Sequence, residues 1–160
     1  MNHWLGVCAI LFAVALYLKK DWEIRQSRQL LVQDFLDAIE SMETAVRWEN
    51  APLPDIIKAQ EKRKYAGSYF ETIDSGLKGG ITLQTLWDKE FSKLDCRELS
   101  RILCAVSLCG DSEFLQTRLA YAAMELREFQ KRDRAEQKSK RKLKVTAALS
   151  VAGMMIILLL

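Results

Sequence analysis

Apolar positions recur with a helical period along almost the whole chain. From Ile24 onward, Leu31, Phe35, Ile39, Met42 and Val46 are spaced by four, four, three and four, which is one stripe of an α-helix. No Gly or Pro lies between Lys19 and Asn50, so this helix can continue from the apolar run that precedes it. It stops at Asn50-Ala51-Pro52-Leu53-Pro54, where the prolines forbid further helix and suit the first turn of the next one. A second helix is expected from Pro54 to about Ala66, carrying Ile56, Ile57, Ala59 and Tyr65, with Gly67-Ser68 as punctuation. The third, Ser68 to Leu77, offers Tyr69, Phe70, Ile73 and Leu77 to a core and ends in a Gly79-Gly80 turn. Thr82 caps a fourth whose apolar face is Leu83, Leu86, Trp87 and Phe91. Asp95 with Glu98 reads as a capping box for a fifth, striped by Leu99, Ile102, Leu103, Val106 and Cys109 and closed by Gly110. Asp111 or Ser112 caps the last helix. There Leu115, Leu119, Ala122, Leu126 and Phe129 form a heptad-like seam, and no breaker appears before Gly153.

Two runs depart from this amphipathic pattern, Trp4 to Leu18 and Val145 to Leu160, which are apolar on every face. At a rise of 1.5 Å per residue, about 16 residues cover roughly 24 Å of a hydrocarbon core near 30 Å. Snorkelling Lys and Arg side chains, with Trp4 and Tyr17 at the interfaces, absorb a mismatch of that size. Lys19 and Lys20 follow the first run, while Lys138, Lys140, Arg141, Lys142 and Lys144 precede the second. Positive-inside bias therefore puts the middle of the chain in the cytoplasm and both termini outside. A signal peptide is the rival for the first run, because Ala13-Val14-Ala15 resembles a cleavage site. Against it, no Lys or Arg precedes the apolar stretch and the basic pair follows it, the reverse of a secretory leader.

The expected architecture is all-α, a membrane-anchored helical bundle of about six helices. Residues 1–18 form an N-terminal transmembrane helix, 19–144 a cytoplasmic helical domain and 145–160 a C-terminal transmembrane helix. The long first and last helices continue the spans, run antiparallel and pair through their stripes, giving a membrane-rooted stalk with the short helices at its far end.

Charge placement sharpens this. Lys131 to Lys144 holds eight basic residues against Asp133 and Glu136, so the formal +3 of the chain hides a mildly acidic stretch from Lys19 to Gln130. Positive charge concentrated where anionic headgroups would lie argues for a lipid surface and against nucleic acid. Of the cysteines, Cys8 lies in the first apolar run, and Cys96, Cys104 and Cys109 in the body form no CxxC pair. They read as small apolar fillers of a reduced core.

Candidate chemistry is sparse. The single histidine, His3, precedes the first run, so the body holds neither a Ser/His/Asp nor a Cys/His arrangement. Gly79-Gly80 lacks the Lys-Ser/Thr of a phosphate loop. Glu40 and Glu43, one turn apart, could share a cation or a proton, but Arg47 one turn beyond can pair with Glu43. No enzyme activity, cofactor or metal is expected. Trp48 and Trp87 suit packing or a helix end, and Trp48 can also anchor a partner. Arg47, Trp48, Asp55 and Lys58, around the Pro-Leu turn, are the candidate partner-binding residues.

Three stretches give the chain a family likeness: Ile39-Glu40-Ser41-Met42-Glu43 leading through Trp48 to Ala51-Pro52-Leu53-Pro54; Gly80-Ile81-Thr82-Leu83 with Trp87 downstream; and Leu108-Cys109-Gly110-Asp111-Ser112-Glu113 followed by Gln116 and Leu119. Together with the terminal runs and basic flank, these resemble the stage III sporulation protein AB family of endospore-forming bacteria across nearly the whole length. Cys109-Gly110-Asp111 departs in order and spacing from the family's Leu-Gly-x-Ser-Asp region, so no role is carried onto those positions. The resemblance implies a subunit of the channel-like complex between mother cell and forespore, in the outer forespore membrane with its domain in the mother-cell cytoplasm. It also implies likeness to the F-type inner-membrane platform domain of type II secretion. The partners implied are a secretion-type ATPase, sporulation protein AA, and other stage III channel proteins, with the lipid bilayer; self-association stays open. Two rivals remain. One is a cation- or redox-responsive regulator using Glu40 and Glu43 or Cys96, Cys104 and Cys109. The other is a membrane organiser with no motor.

Overall fold

The computed structural model describes the backbone of residues 2–49 and 51–159. It describes side chains between residues 12 and 154, apart from 14, 18, 21, 25, 50, 141, 144, 148, 149 and 152. Among these the chain is all-α, with six helices and no strand: α1 (Asn2–Trp48), α2 (Leu53–Gln60), α3 (Gly67–Lys78), α4 (Leu83–Phe91), α5 (Arg97–Cys104) and α6 (Ser112–Leu159). They divide into two compact units, residues 29–130 and residues 1–28 with 131–160. α1 and α6 contribute to both.

In the unit of residues 29–130 the predicted stripes become the core. Phe35, Ile39, Met42 and Val46 of α1 and Leu115, Leu119, Ala122, Leu126 and Phe129 of α6 are all buried. The two helices run antiparallel here: Gln33 pairs with Gln130 at 2.6 Å and, further up α1 and further down α6, Glu40 pairs with Arg127 at 2.8 Å. An aromatic cluster joins α1 to α3 and α4. Phe91 meets Trp87, Phe35 and Phe70 edge-on at ring separations of 4.5, 5.5 and 6.1 Å, which is the geometry aromatic quadrupoles favour.

Polar side chains fix the connections. α2 ends at Gln60 and not near Ala66 as expected, because the carboxylate of Asp34 on α1 accepts the backbone N–H groups of Tyr65 and Ala66 at 2.7 and 2.9 Å. Those bonds hold residues 61–66 as turns and start α3 at Gly67. A side chain at Gly67 would put its Cβ 2.2 Å from the carbonyl oxygen of Glu61, so only glycine permits this approach. Gly80, with φ 81°, makes the expected turn between α3 and α4.

The fifth helix is likewise shorter than its stripe. α5 stops at Cys104, where the Trp87 indole donates to the carbonyl of Leu103 at 2.8 Å. Gln84 then brackets the following segment, donating to the carbonyl of Val106 at 3.3 Å and accepting from the N–H of Leu108 at 2.7 Å. Val106 is therefore buried from a loop, and Cys109 is exposed. The local caps also differ. Cys96, not Asp95, precedes α5 without a side-chain cap bond, and the Thr82 hydroxyl meets that of Thr85 and caps no backbone N–H. Asp111 does cap α6, accepting from the N–H of Phe114 at 2.8 Å.

The unit of residues 1–28 and 131–160 has a different surface. Ion pairs lie along it: Arg28 with Asp133 at 3.6 Å, Lys140 with Glu136 at 2.9 Å and Lys19 with Glu23 at 4.0 Å. Its described apolar side chains are largely exposed, among them Phe12, Trp22, Leu143 and Met154. Among the described residues no helix is long and apolar enough to cross a membrane. Most side chains of the expected spans, with His3, Trp4 and Cys8, lie outside the described residues.

Candidate docking site

The last turns of α1 and the short α2 leave an open groove of about 560 Å³ within the unit of residues 29–130. Its origin is local. α2 turns Ile57 into the core, and the groove is lined by Ile56, Ala59 and Gln60 from α2, by the small side chains of Ser41, Thr44 and Ala45 from α1 and by Ala51 from the link. Carboxylates of Asp37, Glu40, Glu49 and Asp55 line it.

Beneath, a polar staple locks α2 to α1. Gln60 is 3% exposed, and its amide nitrogen donates to the carbonyl of Ile56 at 3.3 Å and to the Ser41 hydroxyl at 3.4 Å. Its amide oxygen accepts from Arg63 at 2.7 Å, while Arg63 also donates to the Asp37 carbonyl at 2.7 Å. Arg63 lies 3.8 Å from the Asp34 carboxylate as well. This network ties together residues up to 29 positions apart around the buried Gln60 amide, and the satisfied bonds of that amide make it rigid. The groove is thus a preformed shape.

The sequence-predicted residues divide. Asp55 lies in the groove, in the first turn of α2. Trp48 ends α1 at 71% exposure, next to the groove residue Glu49, and the Arg47 guanidinium stacks on its ring at 5.1 Å. The partner of Arg47 is therefore this ring and not the expected Glu43. Lys58 is exposed in the last turn of α2 and does not line the groove. Asp37 and Glu49, which periodicity passes over as ordinary surface acids, are the residues sequence reasoning missed. Their only signal was the acidic balance of the body.

The carboxylate pair considered for a cation is not brought together around an open site. Glu40 accepts from Arg127 through both Nε and Nη2, at 2.9 and 2.8 Å, and so already has its counter-ion. Among the described residues no group of three or more His, Cys, Asp or Glu side chains could hold a metal. Among the described residues Cys96, Cys104 and Cys109 form no disulfide. Burial pushes the Cys104 thiol above its ordinary range, with the Asp88 charge adding to it against a Ser100 hydrogen bond. That is the reverse of the shift that makes a cysteine reactive.

Elsewhere in this unit, the Lys78 hydrogen bond at 2.5 Å holds the buried Asp74 carboxyl below its usual range. Phe114, Tyr121 and Met124 are exposed along α6, with Arg118 over the Phe114 ring at 4.9 Å.

A family model described as stage III sporulation protein AB matches residues 3–160. No curated protein and no solved structure matches the chain.

Proposed function

The chain belongs to the stage III sporulation protein AB family, and from that premise we propose that it is a non-enzymatic membrane platform of the secretion-like complex between mother cell and forespore. It sits in the outer forespore membrane, held by its two terminal apolar runs, with residues 19–144 in the mother-cell cytoplasm and both termini outside. It couples a cytoplasmic secretion-type ATPase, sporulation protein AA, to the membrane components of the channel. One observation carries this reading. α1 and α6, of 47 and 48 residues, each run unbroken from an apolar chain end into the acidic helical unit. A load applied to that unit would then reach the membrane through two continuous hydrogen-bonded helices, stiffer together than one tether.

The surface of residues 1–28 and 131–160 supports the membrane assignment. Leu143 at 74% exposure and Phe12 at 67% are poor neighbours for water and good ones for lipid, and eight basic residues between 131 and 144 suit anionic headgroups. The raised thiol of Cys104 and the Arg127 partner of Glu40 speak against the redox and cation rivals.

Co-purification tests the reading. The full-length protein, extracted from membranes in mild detergent, is expected to retain the ATPase, and Trp48→Ala is expected to weaken that retention. An ATPase found only in the soluble fraction would leave a membrane organiser without a motor.

A further inference from the structure

We propose that the groove between α1 and α2 receives a basic segment of a protein partner, which sets Lys or Arg side chains against Asp37, Glu49 and Asp55. This deepens the platform reading and rests on it for the partner being a protein.

Three features select the occupant. First is charge: residues 29–130 hold seventeen Asp and Glu against twelve Lys and Arg, and the groove draws four of those acids to one place. Such a field attracts cationic segments and repels nucleic acid and anionic lipid. Second is shape. The groove is open and lined between its acids by small or short side chains, Ser41, Thr44, Ala45, Ala51 and Ala59, which fits a side-chain-bearing backbone laid between two helices and does not enclose a small molecule. Third is stiffness, since the Gln60 and Arg63 staple holds the two walls together before any partner arrives. A bound cation is disfavoured because Glu40 is already answered by Arg127. Trp48, exposed beside Glu49, lies where a docked segment would gain an aromatic contact.

The test is a titration of the full-length protein in phosphatidylcholine nanodiscs. The probes are a fluorescein-labelled amphipathic peptide of Lys, Leu and Ala and its Glu-for-Lys counterpart, read by anisotropy. The Lys peptide is expected to bind at least about tenfold tighter than the Glu peptide, and the triple variant D37N/E49Q/D55N to lose at least about tenfold of that binding. Circular dichroism should find the variant as helical as the parent, because the Arg63 bond goes to the Asp37 backbone carbonyl and survives the change. Equal binding of the two peptides, or binding unchanged by the triple variant, overturns the proposal. So does concentration-dependent dimerisation that the same variant abolishes, which would give the groove to a second copy. Failure here leaves the co-purification of the wild-type ATPase complex standing. Failure of that co-purification leaves the titration readable.

Discussion

Phe35 and Phe91, in the unit of residues 29–130, have no exposed surface, whereas Phe12 and Trp22, in the unit of residues 1–28 and 131–160, are 67% and 52% exposed. Both pairs belong to helices, and both units share α1, so propensity does not separate them. What separates them is the supply of partners. The first unit adds α2 to α5, whose apolar residues join the stripes of α1 and α6 in one buried core. Among the described residues the second shows helix ends and ion pairs such as Arg28 with Asp133. Apolar side chains as exposed as Phe12 and Leu143 ask for another medium than water, and a bilayer is the one proposed for them.

The comparison breaks first in the aromatic cluster. Phe91→Ala removes a ring that meets Phe35, Phe70 and Trp87, and is expected to cost about 3–5 kcal/mol in chemical denaturation of the unit of residues 29–130. Phe12→Ala, at the exposed site, should leave that transition within about 0.5 kcal/mol. Next comes the Asp34 contact. Asp34→Ala leaves the N–H groups of Tyr65 and Ala66 without their acceptor, at an expected cost of about 1–3 kcal/mol, and hydrogen exchange should quicken in residues 61–67 first. Smaller again, Arg127→Met breaks an exposed pair with Glu40 and should cost no more than about 1 kcal/mol, the usual value for a surface ion pair.

The smallest effect is a pH dependence. Lys78 holds the Asp74 carboxyl below its ordinary range, with Lys58 adding to it, and Asp74 in turn raises Lys78. A depressed carboxyl contributes stability that is present above its unfolded value, near about 4, and is lost as pH falls through its folded value. A raised lysine contributes below its unfolded value, near about 10.4, and loses that contribution as pH rises through its folded value. Thermal midpoints should therefore be flat between those limits for this pair and fall outside them, and Asp74→Asn should remove its share of the acid-side slope.

Legibility in the sequence followed the range of each interaction. The stripes of α1 and α6 were readable because an apolar residue reports its own burial every three or four positions, and Phe35, Ile39, Leu119 and Leu126 all lie in the core. The ends of α2 and α5 were not. Both are set by side chains distant in sequence, Asp34 acting on Tyr65 and Ala66, and Gln84 and Trp87 acting on residues 103–108. Periodicity alone carried the fifth stripe on to Cys109, although the helix stops at Cys104. The groove was half legible. Asp55 stood out beside the prolines, but Asp37 and Glu49 become neighbours of Asp55 only once α2 folds back along α1.

The central claim is that unbroken helices carry load between the cytoplasmic unit and the membrane. Its most direct test is a break in α6 at the boundary of the two units, Gln130→Gly with Lys131→Pro, in otherwise unchanged protein. The account predicts protein that still reaches the membrane and still retains the ATPase, yet fails to support sporulation. Sporulation at the wild-type level with that break in place would contradict it.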